Sequence, residues 1–262
     1  MSMKYPNTCR SSSRGFTLIE MAIVLMIVGL LLGGILVPLN AQMDQRNIND
    51  TQKTLADIKE ALIGYALANG RLPCPATSGS ANPGAENPLG GGACYTFTNP
   101  GTNGYVPAAT LGLSGANNAG LILDSWGNPI RYAVTSWNST SPAFSDVFTT
   151  TSGMSTVGIS NLLPTSLAVC TTAAGISGSG CGLGYWLTSS TTGVPAVIFS
   201  TGKNGAQVSG GADEAANLAN LPRFVSHLPA GTGSANGYFD DIVIWISPNV
   251  LISRMVSAGK LP

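Results

Sequence analysis

One acidic residue in this sequence asks for a chemical reason. Glu20 stands four residues into an apolar run, residues 16–39, in which it is the single charged side chain. A charge at mid-bilayer costs about 2.5–3.5 kcal/mol on insertion scales and less near the ends, so a carboxylate kept there calls for a cationic partner. Four cysteines, Cys74, Cys94, Cys170 and Cys181, follow the run, and Cys9 precedes it. In an oxidising compartment those four would form two disulfides. Three connectivities are possible; local pairing, Cys74–Cys94 and Cys170–Cys181, is preferred because each bridge ties off a loop rich in Gly, Ser and Asn. Zinc is disfavoured, since there is no Cys-x-x-Cys and His227 is the only histidine.

Other chemistries fail on residue type. In "STGKN" Lys203 is followed by Asn rather than Ser or Thr, and Val197 stands where a phosphate loop has its first glycine. His227, although next to Ser226, belongs to no recognised nucleophile signature of Cys, Ser or acid. Asp240 and Asp241 are neighbours, and adjacent strand residues point to opposite faces, which makes a poor general acid–base pair. Asn138-Ser139-Thr140 fits a glycosylation sequon, a weak signal by itself. Trp126, Trp137, Trp186 and Trp245 read as core residues. The chain is not expected to be an enzyme.

The elements that carry these residues are legible. Only 9% of residues are charged, against about 25% in an ordinary soluble domain. The basic residues Lys4, Arg10 and Arg14 precede the apolar run in a leader without acids; without that leader, nine basic residues stand against twelve acidic ones, a net charge of −3. That balance excludes the basic footprint of a nucleic-acid binder. The apolar run is 24 residues long, enough for about 36 Å of helix, and the basic leader places its start on the cytoplasmic side. A plain anchor, or a signal peptide cut after "LNA" at residues 39–41, would explain that much, but neither gains from Glu20.

Beyond the run, Ile48, Leu55, Ile58, Leu62 and Tyr65 make one helical stripe, with Asp44, Arg46, Lys53 and Asp57 off it. Asn69-Gly70 and Pro73 end the helix. Gly29, Gly33, Gly34 and Pro38 weaken its first half and suggest either a kink in an assembly or close helix packing. Residues 71–120 read as loop, "LILDSWGNPIRYAV" as a hairpin, 195–201 and 241–247 as strands, and "VLISRMVSAG" as a short helix. Residues 135–193 read as an elaborated surface loop or small extra strands. Ile242, Ile244 and Ile246 alternate with Val243 and Trp245, a strand covered on both faces.

"RGFTLIE" followed by apolar residues resembles the processing site of type IV pilins and type II secretion pseudopilins. The resemblance implies a leader, 1–15, cut between Gly15 and Phe16 by a prepilin peptidase, and N-methylation of Phe16. It implies a retained helix, 16–69, whose 16–39 part is the transmembrane and assembly segment, and a head, 70–262. "GRLPCPA", "VPAATLGL" and "DSWGNPIRYAV" extend the resemblance to about residue 134. The fold expected is α+β, a long N-terminal helix on an antiparallel sheet of about four strands. Glu20 would pair with the amine of Phe16 on a neighbouring subunit. The partners implied are like subunits in a homo- or hetero-oligomeric filament, the peptidase, an assembly ATPase and platform, and the inner membrane, with the head in the periplasm before filament or cell-surface display. "STGKNGAQVSGGADE" with "GYFDDIVIW" resembles the calcium loop of the major pseudopilin; the match places Asn204 and Asp241 at ligand positions, with Asp240 and Asp213 as spare carboxylates. No cofactor is required, and calcium is the candidate ion. The function implied is a structural filament subunit; the alternative is a minor pilin acting as tip adhesin through residues 135–193.

Overall fold

The computed structural model describes residues 15–94, 104–135, 146–164, 166–176, 180–189, 191–205, 210–219 and 221–262, with the helical path but not the side chains of 33–40. Most of the leader, Trp137 and the 138–140 sequon lie outside the described residues, as do the side chains of Gly33, Gly34 and Pro38. The chain divides into two compact units, Met1–Arg46 and Asn47–Pro262.

The first helix, α1, runs Leu18–Asn69. Among the described residues no helix is long and apolar enough to cross a membrane; the described side chains of the apolar run stop at Leu32. Those side chains are exposed, Leu18 at 92% and Leu25 at 66%. The helix stops where Gly70 takes a left-handed φ of 70° and its N–H returns to the carbonyl of Ala66 at 2.8 Å, the conformation that glycine adopts without Cβ cost.

Within Asn47–Pro262, the other elements are α2 (Ala108–Leu111), β1 (Arg131–Val134), α3 (Gly153–Val157), β2 (Ala168–Cys170), β3 (Ala196–Ser200), α4 (Ala212–Leu218), β4 (Arg223–Val225), β5 (Ile242–Ile246) and α5 (Pro248–Ser257). The main sheet is antiparallel with order β1-β3-β5. It has three strands, not the four or so expected. The hairpin read at "LILDSWGNPIRYAV" supplies only its second half, since Leu123 meets Pro129 in a single bridge. Pro129 has no N–H to extend a ladder. β2 and β4 form a separate parallel pair, with Val169 opposite Phe224.

Period-2 alternation covers the sheet on both sides. Leu55, Ile58 and Leu62 of α1, all buried, pack with Tyr132, Ile198, Ile246 and, from α5, Leu251 and Met255. Burying each such side chain contributes about 1.5–3 kcal/mol. Val197, Phe199 and Val243 face the other way onto Leu167, Val169 and Phe224, with Trp245 at the margin. α5 is also clasped to α1 from outside by Arg254 Nη1 on Glu60 Oε2 at 2.5 Å, and beyond its end Lys260 Nζ donates to the Ala68 carbonyl at 2.9 Å.

The loop after α1 is held by covalent and ionic means. Cys74 and Cys94 are bonded across 20 residues, and Cys170 and Cys181 across 11; closing loops of that size contributes roughly 3 kcal/mol each. Arg71 and Glu86, both buried, form a two-pronged pair, Nη1 to Oε2 at 2.7 Å and Nη2 to Oε1 at 2.6 Å. Glu86 also accepts from the N–H groups of Cys74, at 3.0 Å, and Gly90, at 3.2 Å. Burial pushes the Glu86 carboxyl up, but the Arg71 guanidinium and the two backbone donors outweigh it and hold it below its ordinary value.

Candidate functional site

Two regions place functional side chains together. The first is the start of α1. Gly15, Phe16 and Thr17 precede the helix and are exposed. The Glu20 N–H donates to Thr17 Oγ1 at 3.3 Å, and Glu20 Oε2 accepts from the Thr17 N–H at 3.5 Å. This is a capping box, in which a Thr and a Glu three residues on satisfy each other's free amides at a helix start. Its signature, Thr-x-x-Glu in "TLIE", was present in the sequence. Glu20 therefore has a local bonding partner as a single chain, and its carboxylate lies at the helix N-terminus, where negative charge is favoured. Around it Phe16, Ile19, Ile23 and Leu25 are exposed apolar surface.

The second region is an oxygen-rich cluster. Among the described residues, Glu214, Asp240 and Asp241 each bring a carboxylate oxygen to within 4.8 Å of the others. Glu214 rides on α4, Asp240 and Asp241 enter β5, and Asn204 comes from the loop after β3. Asn204 Nδ2 donates to Glu214 Oε2 at 2.6 Å, and the Asp240 N–H to Glu214 Oε1 at 3.0 Å. Asp240 Oδ2 accepts from the Lys203 N–H at 2.8 Å and the Tyr238 hydroxyl at 2.9 Å. Asp241 Oδ2 accepts from Asn217 Nδ2 at 2.7 Å, and the Asn217 side chain also bonds both backbone groups of Val225.

The electrostatics of this cluster are unbalanced. Burial first, then the charges of Glu214 and Asp240, push the Asp241 carboxyl up to about 8, against the opposing pull of Asn217 and Arg131. Burial, with Asp240 beside it, also raises Glu214. Two buried acceptors, Asn204 Oδ1 and Asp240 Oδ1, have no hydrogen-bond partner among the described residues. Orphaned buried oxygens beside carboxylates that resist ionising together are what a hard cation relieves. The residues fit such an ion.

The cluster differs from the sequence-based set in two members. Asp213, expected as a spare carboxylate, faces elsewhere: Oδ1 accepts from Thr172 Oγ1 at 3.0 Å and from the Ala173 N–H, and Oδ2 lies 3.0 Å from His227 Nε2. Successive residues on a helix point about 100° apart, so Asp213 and Glu214 cannot serve one site. Glu214, which sequence reasoning missed, takes that place. Asn204, Asp240 and Asp241 are brought together as named. His227 itself stacks on Phe239 with ring centroids 3.9 Å apart, and the Asp213 it meets bonds the second disulfide loop at Thr172 and Ala173.

Comparison with known proteins gives two findings. The prokaryotic N-terminal methylation motif matches residues 10–36. The chain is 31% identical over 134 residues to the type II secretion system core protein G of Klebsiella pneumoniae, an alignment spanning 43% of this chain and 94% of that protein. No solved structure matches.

Proposed function

The chain belongs to the family of type II secretion system core protein G, and from that premise we propose that it is a structural subunit of a pseudopilus or type IV pilus. The leader is removed between Gly15 and Phe16 by a prepilin peptidase, and Phe16 is N-methylated. The apolar half of α1 holds the subunit in the inner membrane with the head outside. It then packs against neighbouring subunits as an ATPase and platform drive assembly. The observation that carries this reading is the start of α1: a methylation motif over residues 10–36 leading into a helix whose apolar side chains lie exposed. Shearing and pelleting filaments from cells that express the chain tests it. The subunit is expected in the pellet of wild-type cells and absent from it when the peptidase is deleted; a pellet unaffected by the deletion would contradict the reading.

The head holds a calcium ion through Asn204, Glu214, Asp240 and Asp241. The unsatisfied oxygens of Asn204 and Asp240 support this, and the ion would supply the positive charge that the three carboxylates lack. A ligand that binds only the folded state at 100 times its dissociation constant stabilises by about 2.7 kcal/mol. Calcium is therefore expected to raise the melting temperature of the wild-type chain and not that of Asp241→Asn. Equal melting curves with calcium and with chelator would show that the head holds no calcium.

A second reading, a minor subunit acting as tip adhesin, is supported by apolar exposure within residues 135–193: Leu183 is fully exposed, and Tyr185 and Leu187 are exposed beside it. Deleting 182–187 would then abolish adhesion and spare the filament.

A further inference from the structure

The loop that carries Asn204 is tied, bond by bond, to the long helix. Thr51, fully buried on α1, donates its hydroxyl to Ser125 Oγ at 3.1 Å and accepts from the Ser125 N–H at 3.2 Å. Ser125 belongs to the turn at 124–128. The Asp124 carboxylate builds that turn, Oδ1 accepting from the N–H groups of Trp126 at 2.9 Å and Asn128 at 2.8 Å. Its other oxygen accepts from Ser200 Oγ at 2.6 Å, at the end of β3.

From there the turn grips Gly202 on both sides. Ser200 Oγ accepts from the Gly202 N–H at 3.1 Å, and Asn128 Nδ2 donates to the Gly202 carbonyl at 2.7 Å. Lys203 then donates its N–H to Asp240, and Asn204 follows. Gly202 has a φ of 63°, and a Cβ there would collide with the Asp240 carboxylate. Backbone and ligand are in such close approach that the loop cannot slide without moving Asp240.

We infer that the turn at 124–128 positions the cation site, and that Thr51 and Asn128 couple the packing of α1 to the loop bearing Asn204. The inference rests on the cation reading above. With the turn intact, Asn204 and Asp240 are presented in one arrangement; with a link cut, the loop samples others and the ion must order it. Coupling of this kind is reciprocal: an ion bound at Asp240 and Asn204 restrains the helix around Thr51 in turn. A contiguous set of contacts is a route for coupling, and only a measured coupling establishes it.

The test uses the full-length chain in detergent micelles, with calcium as the probe. Thr51→Val and Asn128→Ala remove links in the tie and none of the four ligand residues. Calcium affinity is read by competition with a fluorescent chelator, and hydrogen exchange is followed for the α1 amides 51–62. Each variant is expected to bind calcium at least about fivefold more weakly, fivefold being the size of one lost net hydrogen bond. Calcium is expected to slow exchange at 51–62 in the wild type and not in Asn128→Ala. Thr51→Ser, which keeps the hydroxyl, is expected to bind as the wild type and separates loss of the link from loss of packing. Wild-type affinity in both variants, or equal protection of the helix in Asn128→Ala, would overturn the coupling and leave the ion in place. A wild-type chain that takes up no calcium would remove both together.

Discussion

Glu20→Ala is expected to eliminate the subunit from sheared filaments while leaving the folded head intact. In the proposed stagger of helices, Glu20 of one subunit would meet the Phe16 amine that cleavage would create on the next, among the apolar side chains that surround both. Removing one member of such a pair strands the other, at about 3–5 kcal/mol. The capping box offers a smaller competing account, because losing a helix cap costs about 0.5–2 kcal/mol. Glu20→Gln separates the two. Glutamine at the third helical position keeps the capping pattern with Thr17 but has no charge to set against an amine. Loss of assembly in both variants supports the pairing; a Gln variant that assembles as the wild type would assign Glu20 to capping alone.

Arg71→Met is expected to destabilise the head by about 3–5 kcal/mol, since it leaves the buried Glu86 carboxylate with only backbone donors and the Tyr65 hydroxyl, 3.3 Å away. The sign with pH follows from the shift. In the wild type Glu86 is held below its ordinary 4.5, so its stabilising contribution is complete above that value and fades as pH falls through the folded-state value. In the variant the guanidinium is gone and burial dominates, so the carboxyl moves up and folding favours its protonated form. The gap between variant and wild type should therefore be widest at pH 7 and narrow by pH 4. Urea midpoints at the two pH values measure it. A gap of constant size would assign the loss to packing of the arginine stem.

What could be read from the sequence had a period or a local signature. Leu55, Ile58 and Leu62 recur at helical spacing and lie at the centre of the core, and the alternation in β5 correctly implied a strand covered on both faces. The two disulfides join the loops they were expected to close. Three features had no such signal. Strands of three residues, β2 and β4, are too short to show alternation, so the parallel pair was invisible. Arg71 and Glu86 are 15 residues apart across a segment rich in Gly and Pro, where no repeat brings them together. Glu214 was hidden beside Asp213, because only the direction of a short helix decides which of two adjacent acids faces the loop.

Assembly through Glu20 requires a new N-terminus at Phe16, since that amine is the partner proposed for it. The intact mass of the protein purified from filaments or membranes, with sequencing of its first residues, tests this most directly. The expected result is a chain that begins at Phe16 and carries one additional methyl group. A chain that begins at Met1, or at Gln42 after removal of the apolar run, would contradict it.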